Sequence, residues 1–188
     1  LDELKEKGIV ELSDPGFEYK TPKFKTPTEK FQFSSEAVGE AGLNPVIGWT
    51  PRLVEPKQGE FYLVGGKQGI HSHTMTQNIA CLNAISREYH MERLWISAQD
   101  AEKLGVQTGD TVEVASSEHV GQVEARVTQR LKPGVVFLPT HYGGDSPAQT
   151  RAYRYGIALT DFIPFDMEPG VGSMMSQEVA VTVKKVEA

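Results

Sequence analysis

The chain is 188 residues long, 39% hydrophobic and 23% charged, the texture of a globular protein with room for one sizeable core. Its formal net charge of -6 excludes a general nucleic-acid binder, which needs a basic face, but leaves room for a phosphate-bearing ligand gripped by a few local donors. A single cysteine, Cys81, excludes an internal disulfide, and also any iron–sulfur cluster or cysteine-rich zinc site built from this chain alone.

The first eight residues predict a short helix. Leu1 and Leu4 share a face, Glu3 and Lys7 form an i,i+4 pair, and Gly8 suits the stop. Opening on Leu1 and not Met fits an excised or processed segment. Residues 13–56 change texture. Pro15, Pro22, Pro27, Pro45, Pro51 and Pro56 fall too close together for long helices. We expect an extended arm there, with one strand-like island at 30–34 where Phe31 and Phe33 alternate onto one face.

From residue 59 onward the pattern is that of a β-rich domain. Residues 61–64 make a short apolar strand ending at Gly65-Gly66, and 94–96 make another. That second strand runs into Ser97, a good N-cap for a helix over 98–104, with Asp100 in its first turn and Gly105 at its end. Thr108-Gly109-Asp110 turns into a strand at 111–115. Val123, Ala125 and Val127 repeat the alternation, and Lys132-Pro133-Gly134 is a strong turn. The run 135–138 reads as a strand buried on both faces, and 179–183 alternates again. Many short strands with few helices predict a mainly β fold, a closed or nearly closed barrel. The expected division is therefore an arm over 1–58 and a barrel over 59–188.

Three loops carry polar residues beyond what turns require. The first runs Gly65-Gly66-Lys67-Gln68-Gly69-Ile70-His71-Ser72-His73-Thr74-Met75-Thr76. Its glycines let backbone approach a ligand, Lys67 suits a phosphate, and the histidines and threonines add donors. A glycine-rich turn feeding a polar edge strand fits the same residues. A metal reading of His71 and His73 lacks third and fourth ligands at motif spacing. The second loop, Thr140-His141-Tyr142-Gly143-Gly144-Asp145, places His141 where it can hydrogen-bond a ligand, act as an acid or base, or simply satisfy loop backbone. The third, 160–178, holds Gly170, Gly172, Ser173, Ser176 and Gln177 and reads as a closing loop or plain surface. The apolar neighbours of Cys81 predict a buried structural thiol. Arg151 and Arg154 are three apart, a spacing that would clamp a phosphate on a helix, with a solvated face as the default.

Taken in order, these segments resemble the C-terminal part of the dimethyl sulfoxide reductase family of molybdopterin oxidoreductases. Leu4–Gly8 and Thr26–Ser34 resemble two segments that precede the family's final domain. Gly65–Thr74 resembles its cofactor-lining glycine and histidine loop, and Asn83 a frequent Asn beyond it. The stretch from Leu94 to Asp110 resembles its strand, helix and Gly-Asp turn, while Pro133–Val136 and His141–Gly143 follow two further signatures. The resemblance implies a double-psi β-barrel with short helices, preceded by a Pro-rich arm that ends the upstream catalytic domain. It implies a bis-molybdopterin guanine dinucleotide cofactor with molybdenum or tungsten. The expected contacts are Gly65, Gly66, Lys67, Gln68, Gly69, Ile70, His71, Ser72, His73, Thr74, Thr76, Asn83, His141, Tyr142, Gly143, Thr160 and Gln177. Here Gly65 and Lys67 replace the family's usual Thr and Arg, so a bidentate grip becomes a single ammonium contact.

The metal's protein ligand and an iron–sulfur cluster would lie upstream, so no catalytic or metal-binding residue is expected in this chain and no activity from it alone. Implied partners are the upstream domains, an iron–sulfur electron-transfer subunit and a membrane-anchor subunit, in a periplasmic or membrane-associated setting. Polysulfide, thiosulfate and tetrathionate reductases are the nearest subgroup. A stand-alone double-psi barrel acting as an interaction module is the alternative.

Overall fold

Alternating apolar residues from 61 onward need a curved surface to bury one face, and they find it by closing on themselves. The computed structural model describes residues 2–10, 23–46, 48–71, 76–170 and 172–187, in two units divided between Thr50 and Pro51.

In the first unit, α1 (Asp2–Lys7) buries no side chain. Lys7–Glu3 at 2.9 Å and Lys5–Asp2 at 3.4 Å lie along it, pairs so exposed that solvent screens most of their attraction. Gly8, at φ 73°, ends it. The strand expected at 30–34 does not form. Only Ser34 bridges, to Val46, and Phe31 and Phe33 meet edge-on at 5.0 Å while staying exposed. Nor is the arm extended throughout. Between Pro27 and Pro45 the gap admits a short helix, α2 (Glu36–Glu40), begun by Ser35, whose Oγ accepts from the Val38 amide at 3.4 Å.

The second unit is a ring of β1 (Glu60–Gly66), β2 (Leu94–Ser97), β3 (Thr111–Ala115), β4 (Val120–Thr128), β5 (Val135–Pro139) and β6 (Ala180–Lys185). Its closed order is β1-β5-β2-β4-β3-β6. The β1–β5 and β2–β4 pairs are parallel and the other four contacts antiparallel. It is a double-psi β-barrel. Leu63, Leu94, Ile96, Val112, Val114, Val136, Leu138 and Val181 fill it at 1% exposure or less, each contributing about 1.5–3 kcal/mol by burial. β5 departs from expectation. Val136 and Leu138 are buried, but Val135 and Phe137 are half-buried, because Phe137 lies on the opposite face against Trp95 at 5.2 Å.

Ser97 caps α4 (Ala98–Leu104) by accepting from the Asp100 amide at 3.1 Å, and Gly105 closes the helix in the left-handed region. The Asp100 carboxylate is buried and also accepts from the Gly134 amide at 2.8 Å. One side chain thus ties the helix to the turn that launches β5.

A further helix, α3 (Ala80–Glu88), was not foreseen, because its pattern is inverted. It buries the polar Asn83 and Ser86 and leaves Ile85 exposed. Cys81, expected to be buried, is exposed on the same helix. No described helix is long and apolar enough to cross a membrane.

Candidate functional site

Because β1 and β5 run parallel, their C-terminal ends leave the barrel at one rim, with Gly65 opposite Leu138 and Gly66 opposite Pro139. The next residue, Thr140, donates its amide (2.9 Å) and its hydroxyl (3.1 Å) to the Gly66 carbonyl. His141 then takes φ 79°, a backbone state non-glycine residues rarely adopt. Gly143 follows at φ 74°, and a Cβ there would collide with the backbone of Ile157 and Ala158. Its amide donates to the Tyr155 carbonyl at 2.8 Å. The loop is therefore clamped against residues 155–158, which lead into a 3-10 turn, Leu159–Phe162. Leu159 in turn occupies the space where a Cβ on Gly65 would go, and the Phe137 ring lies 2.8 Å from that of Gly66.

Between these pieces lies a cleft of ≈ 580 Å³ whose walls include Gln77, Thr140, His141, Tyr142, Asp145 and Thr160. That volume is of the size that takes a small organic ligand or part of a larger one. Of its walls, Asp145 is the charged member, and it is already paired to Arg154 at 2.7 Å. Among the described residues, no lysine or arginine lines it.

The floor is built from buried polar groups. Tyr142 is 3% exposed, and its hydroxyl shares a 2.8 Å hydrogen bond with Ser86 of α3. Burial pushes its phenol above the ordinary range. Tyr155 is pushed higher still by burial and by its hydrogen bond to Glu92. The His71 ring meets Tyr142 edge-on at 5.8 Å, and Thr76 Oγ1 lies 3.2 Å from its Nδ1. Burial, then the neighbouring His141, hold the His71 imidazole below its ordinary range, so it is neutral near pH 7. Among the described residues, the buried His71 Nε2 and Gln77 Nε2 have no hydrogen-bond partner. Each such group costs about 1–3 kcal/mol unless something outside the chain satisfies it.

The other expected contacts divide. Gly65 and Gly66 still belong to β1, where the Gly65 amide donates to Gln177 Oε1 at 3.3 Å, so Gln177 reaches the same rim. Gln68 is turned to the Met91 carbonyl. Lys67 and Gly69 are exposed and Ile70 is half-buried. Thr76 is half-buried beside His71. Asn83 is occupied within the fold, accepting from Arg87 at 3.0 Å and donating to the Arg151 carbonyl at 3.4 Å. Ser72, His73 and Thr74 lie outside the described residues. Among the described residues, the His, Asp and Glu side chains that gather within ligand distance are His90, Glu92 and Glu124, not His71. There Arg93 already engages Glu124 at 2.6 Å.

Sequence reasoning missed Gln77, Asn78 and Ser86. Gln77 directly follows a loop already singled out, which ended at Thr76, but nothing in its neighbours foretold burial. The residues fit a polar heterocyclic nucleotide in part. The cleft offers uncharged donors and the buried Gln77 carboxamide, while a phosphate would need the exposed Lys67 or backbone amides outside the cleft.

Residues 61–172 match the model of the Molydopterin dinucleotide binding domain. The thiosulfate reductase molybdopterin-containing subunit of Salmonella typhimurium is 26% identical over 156 residues, covering 81% of this chain and 20% of that protein. Dimethyl sulfoxide reductase of Escherichia coli is 27% identical over 163 residues, 73% of this chain and 20% of its own length. Among solved structures, acetylene hydratase from Pelobacter acetylenicus superposes with a TM-score of 0.70 at 13% identity, covering 88% of this chain and 25% of that one. The chain thus spans about a fifth of the curated relatives it matches.

Proposed function

The chain belongs to the Molydopterin dinucleotide binding domain family, as found in the dimethyl sulfoxide reductase group of oxidoreductases, and on that premise we propose that it is the cofactor-holding C-terminal part of a molybdenum or tungsten oxidoreductase's catalytic subunit. The cofactor is a bis-molybdopterin guanine dinucleotide, whose metal supplies the redox chemistry when bound. Its metal ligand and a neighbouring iron–sulfur cluster belong to upstream domains, of which residues 1–58 are the end and 59–188 the following barrel.

This chain's residues bind and orient. Thr140, His141, Tyr142 and Thr160 wall the cleft, and the neutral His71 packs edge-on behind Tyr142. Lys67, exposed and without an ion pair among the described residues, takes a phosphate. Ser72, His73 and Thr74 complete the loop on the strength of the resemblance. The substrate is a sulfur oxyanion or polysulfide, a reading supported by the thiosulfate reductase subunit aligned over 81% of the chain. An iron–sulfur subunit and a membrane anchor complete the assembly.

The observation that carries the reading is the convergence of Thr140, His141, Tyr142 and Thr160 on one cleft that is also lined by Gln77, whose buried Nε2 has no hydrogen-bond partner among the described residues. Thr160 is exposed at the rim, so Thr160→Trp plugs the cleft at little cost to folding. In the full-length polypeptide carrying this segment, we expect the plug to lower pterin and metal content together, measured by fluorescence of the oxidised pterin and by elemental analysis. A plugged variant with undiminished pterin and metal sinks the proposal.

A further inference from the structure

Two segments bring metal-ligating side chains together outside the cleft. After α3 ends at Glu88, the His90 amide donates to the Arg87 carbonyl (3.3 Å) and the Met91 amide to the Ser86 carbonyl (3.0 Å). These bonds fix the turn that carries His90, at φ 48°. Glu92 stands two residues before β2, and Glu124 lies on β4, the strand that β2 joins in parallel. One ring nitrogen of His90 and one carboxylate oxygen from each glutamate lie within 4.8 Å of one another. The described walls of the cleft include none of the three.

Hydrogen bonds already orient both carboxylates. Arg93 donates Nε (2.8 Å) and Nη2 (2.6 Å) to the same Glu124 oxygen, Oε2. Tyr155 donates its hydroxyl to Oε2 of Glu92, whose Oε1 faces His90 Nδ1 at 3.9 Å. Each glutamate is thus held by one oxygen and can offer the other, as carboxylates do when outer partners aim them at a metal. Glu92 gives the sign that a cation belongs here. It is 9% exposed, and a glutamate is seldom buried that far without a positive partner. Among the described residues, the basic group within ion-pair distance of it is His90, a cation only when protonated. Arg93 is committed to Glu124.

We propose that His90, Glu92 and Glu124 bind one divalent ion of the zinc class, tying the turn after α3 to β4. The donor set does the selecting. One imidazole with two carboxylates suits zinc and its neighbours, whereas magnesium and calcium take oxygen ligands. Tetrahedral ligands about 2.1 Å from zinc stand about 3.4 Å from each other, so the three atoms must draw together. His90, its side chain half exposed, has the freedom to close while its partners stay anchored. Water completes the coordination.

The test is titration of the chelator-stripped 188-residue chain with zinc against a chromophoric indicator. A Cys81→Ser background keeps the exposed thiol from supplying a ligand. His90→Asn introduces a residue that tolerates the left-handed backbone, and Glu124→Gln keeps an acceptor for Arg93 without the charge. We expect one zinc ion per chain and binding at least about tenfold weaker in each variant. Zinc should raise the thermal midpoint of the parent and leave that of either variant nearly unmoved. Circular dichroism verifies the fold, and if one variant does not fold the other carries the test. A parent that binds no zinc, or a folded variant that binds it as the parent does, overturns the site. Displacement of zinc by equimolar magnesium or calcium overturns the zinc-class assignment.

Discussion

Buried polar groups are handled in opposite ways at α4 and at the rim where β1 and β5 end. Asp100, 4% exposed, is saturated: its carboxylate accepts from the Ser97 hydroxyl at 2.8 Å, the Gly134 amide at 2.8 Å and Lys103 at 3.3 Å. His71 and Gln77 are as deeply buried, at 5% and 4%, yet each keeps a nitrogen without a partner among the described residues. The barrel's strands satisfy their backbone in hydrogen-bonded ladders at every ring contact, with Trp95 Nε1 of β2 the buried side-chain nitrogen left without a partner there among the described residues. At α4 saturation serves the fold, whereas at the rim the open valence sits beside a cleft.

The largest expected effect tests the saturated side. Asp100→Ala strands the Gly134 amide and removes the Ser97 partner, so we expect a loss of about 2–4 kcal/mol in urea unfolding. Asp100→Asn should lose less, because an amide oxygen still accepts from Gly134. Burial alone would raise the Asp100 pKa, but Gly134, Ser97 and Lys103 outweigh it and hold the carboxyl below its ordinary value of 3.8. Its stabilisation is therefore complete above that value and fades as pH falls through the lower, folded one. A loss below about 0.5 kcal/mol on Asp100→Ala would mean that the saturation seen here contributes nothing, and the comparison would lose its first term.

How much of each side was legible follows from the range of the signals involved. The Ser97, Asp100 and Gly105 pattern is written within nine residues, and its cap formed as read. The alternation at 111–115 and 123–127 likewise yielded β3 and β4. The link from Asp100 to Gly134 spans 34 positions and has no local mark. α3 was hidden because its inward face is polar, satisfied by Tyr142 and Arg151 more than fifty residues away, so hydrophobic periodicity pointed the wrong way. At the site, the glycines at 65 and 66 were read as openings for a ligand. The structure gives their missing side chains to Leu159 and Phe137. Those are packing demands from a turn and a strand that lie more than seventy residues downstream.

The next effect is smaller and of opposite sign. If Gln77 is kept for a ligand and not for the fold, Gln77→Leu removes a buried unsatisfied donor and should leave the ligand-free chain as stable as before, or more stable by up to about 1 kcal/mol. Thermal unfolding without added nucleotide decides it. A destabilisation approaching that of Asp100→Ala would show that Gln77 serves the fold, and the contrast between the two regions would vanish.

The subtlest effect is a pH dependence at His71. Its imidazole is held below the ordinary 6.5, chiefly by burial and then by His141. Between 6.5 and that lower value the unfolded chain binds more protons at this residue than the folded one. Each step down in pH across that window therefore favours unfolding, and the penalty becomes constant once pH is below both values. Asp100 loses its contribution only in stronger acid, so the two residues act in separate windows. The groups facing His71 are His141, which repels its proton, and the uncharged Tyr142 and Thr76. His71→Gln removes the titration while keeping a polar side chain. The difference in unfolding midpoint between variant and wild type, followed from about pH 7.5 to about pH 5, should shift in favour of the variant as the solution is acidified. A difference that stays flat across that range would mean that His71 takes up its proton as readily in the folded chain as in the unfolded one. Its orphaned nitrogen would then lie open to water and not toward a ligand.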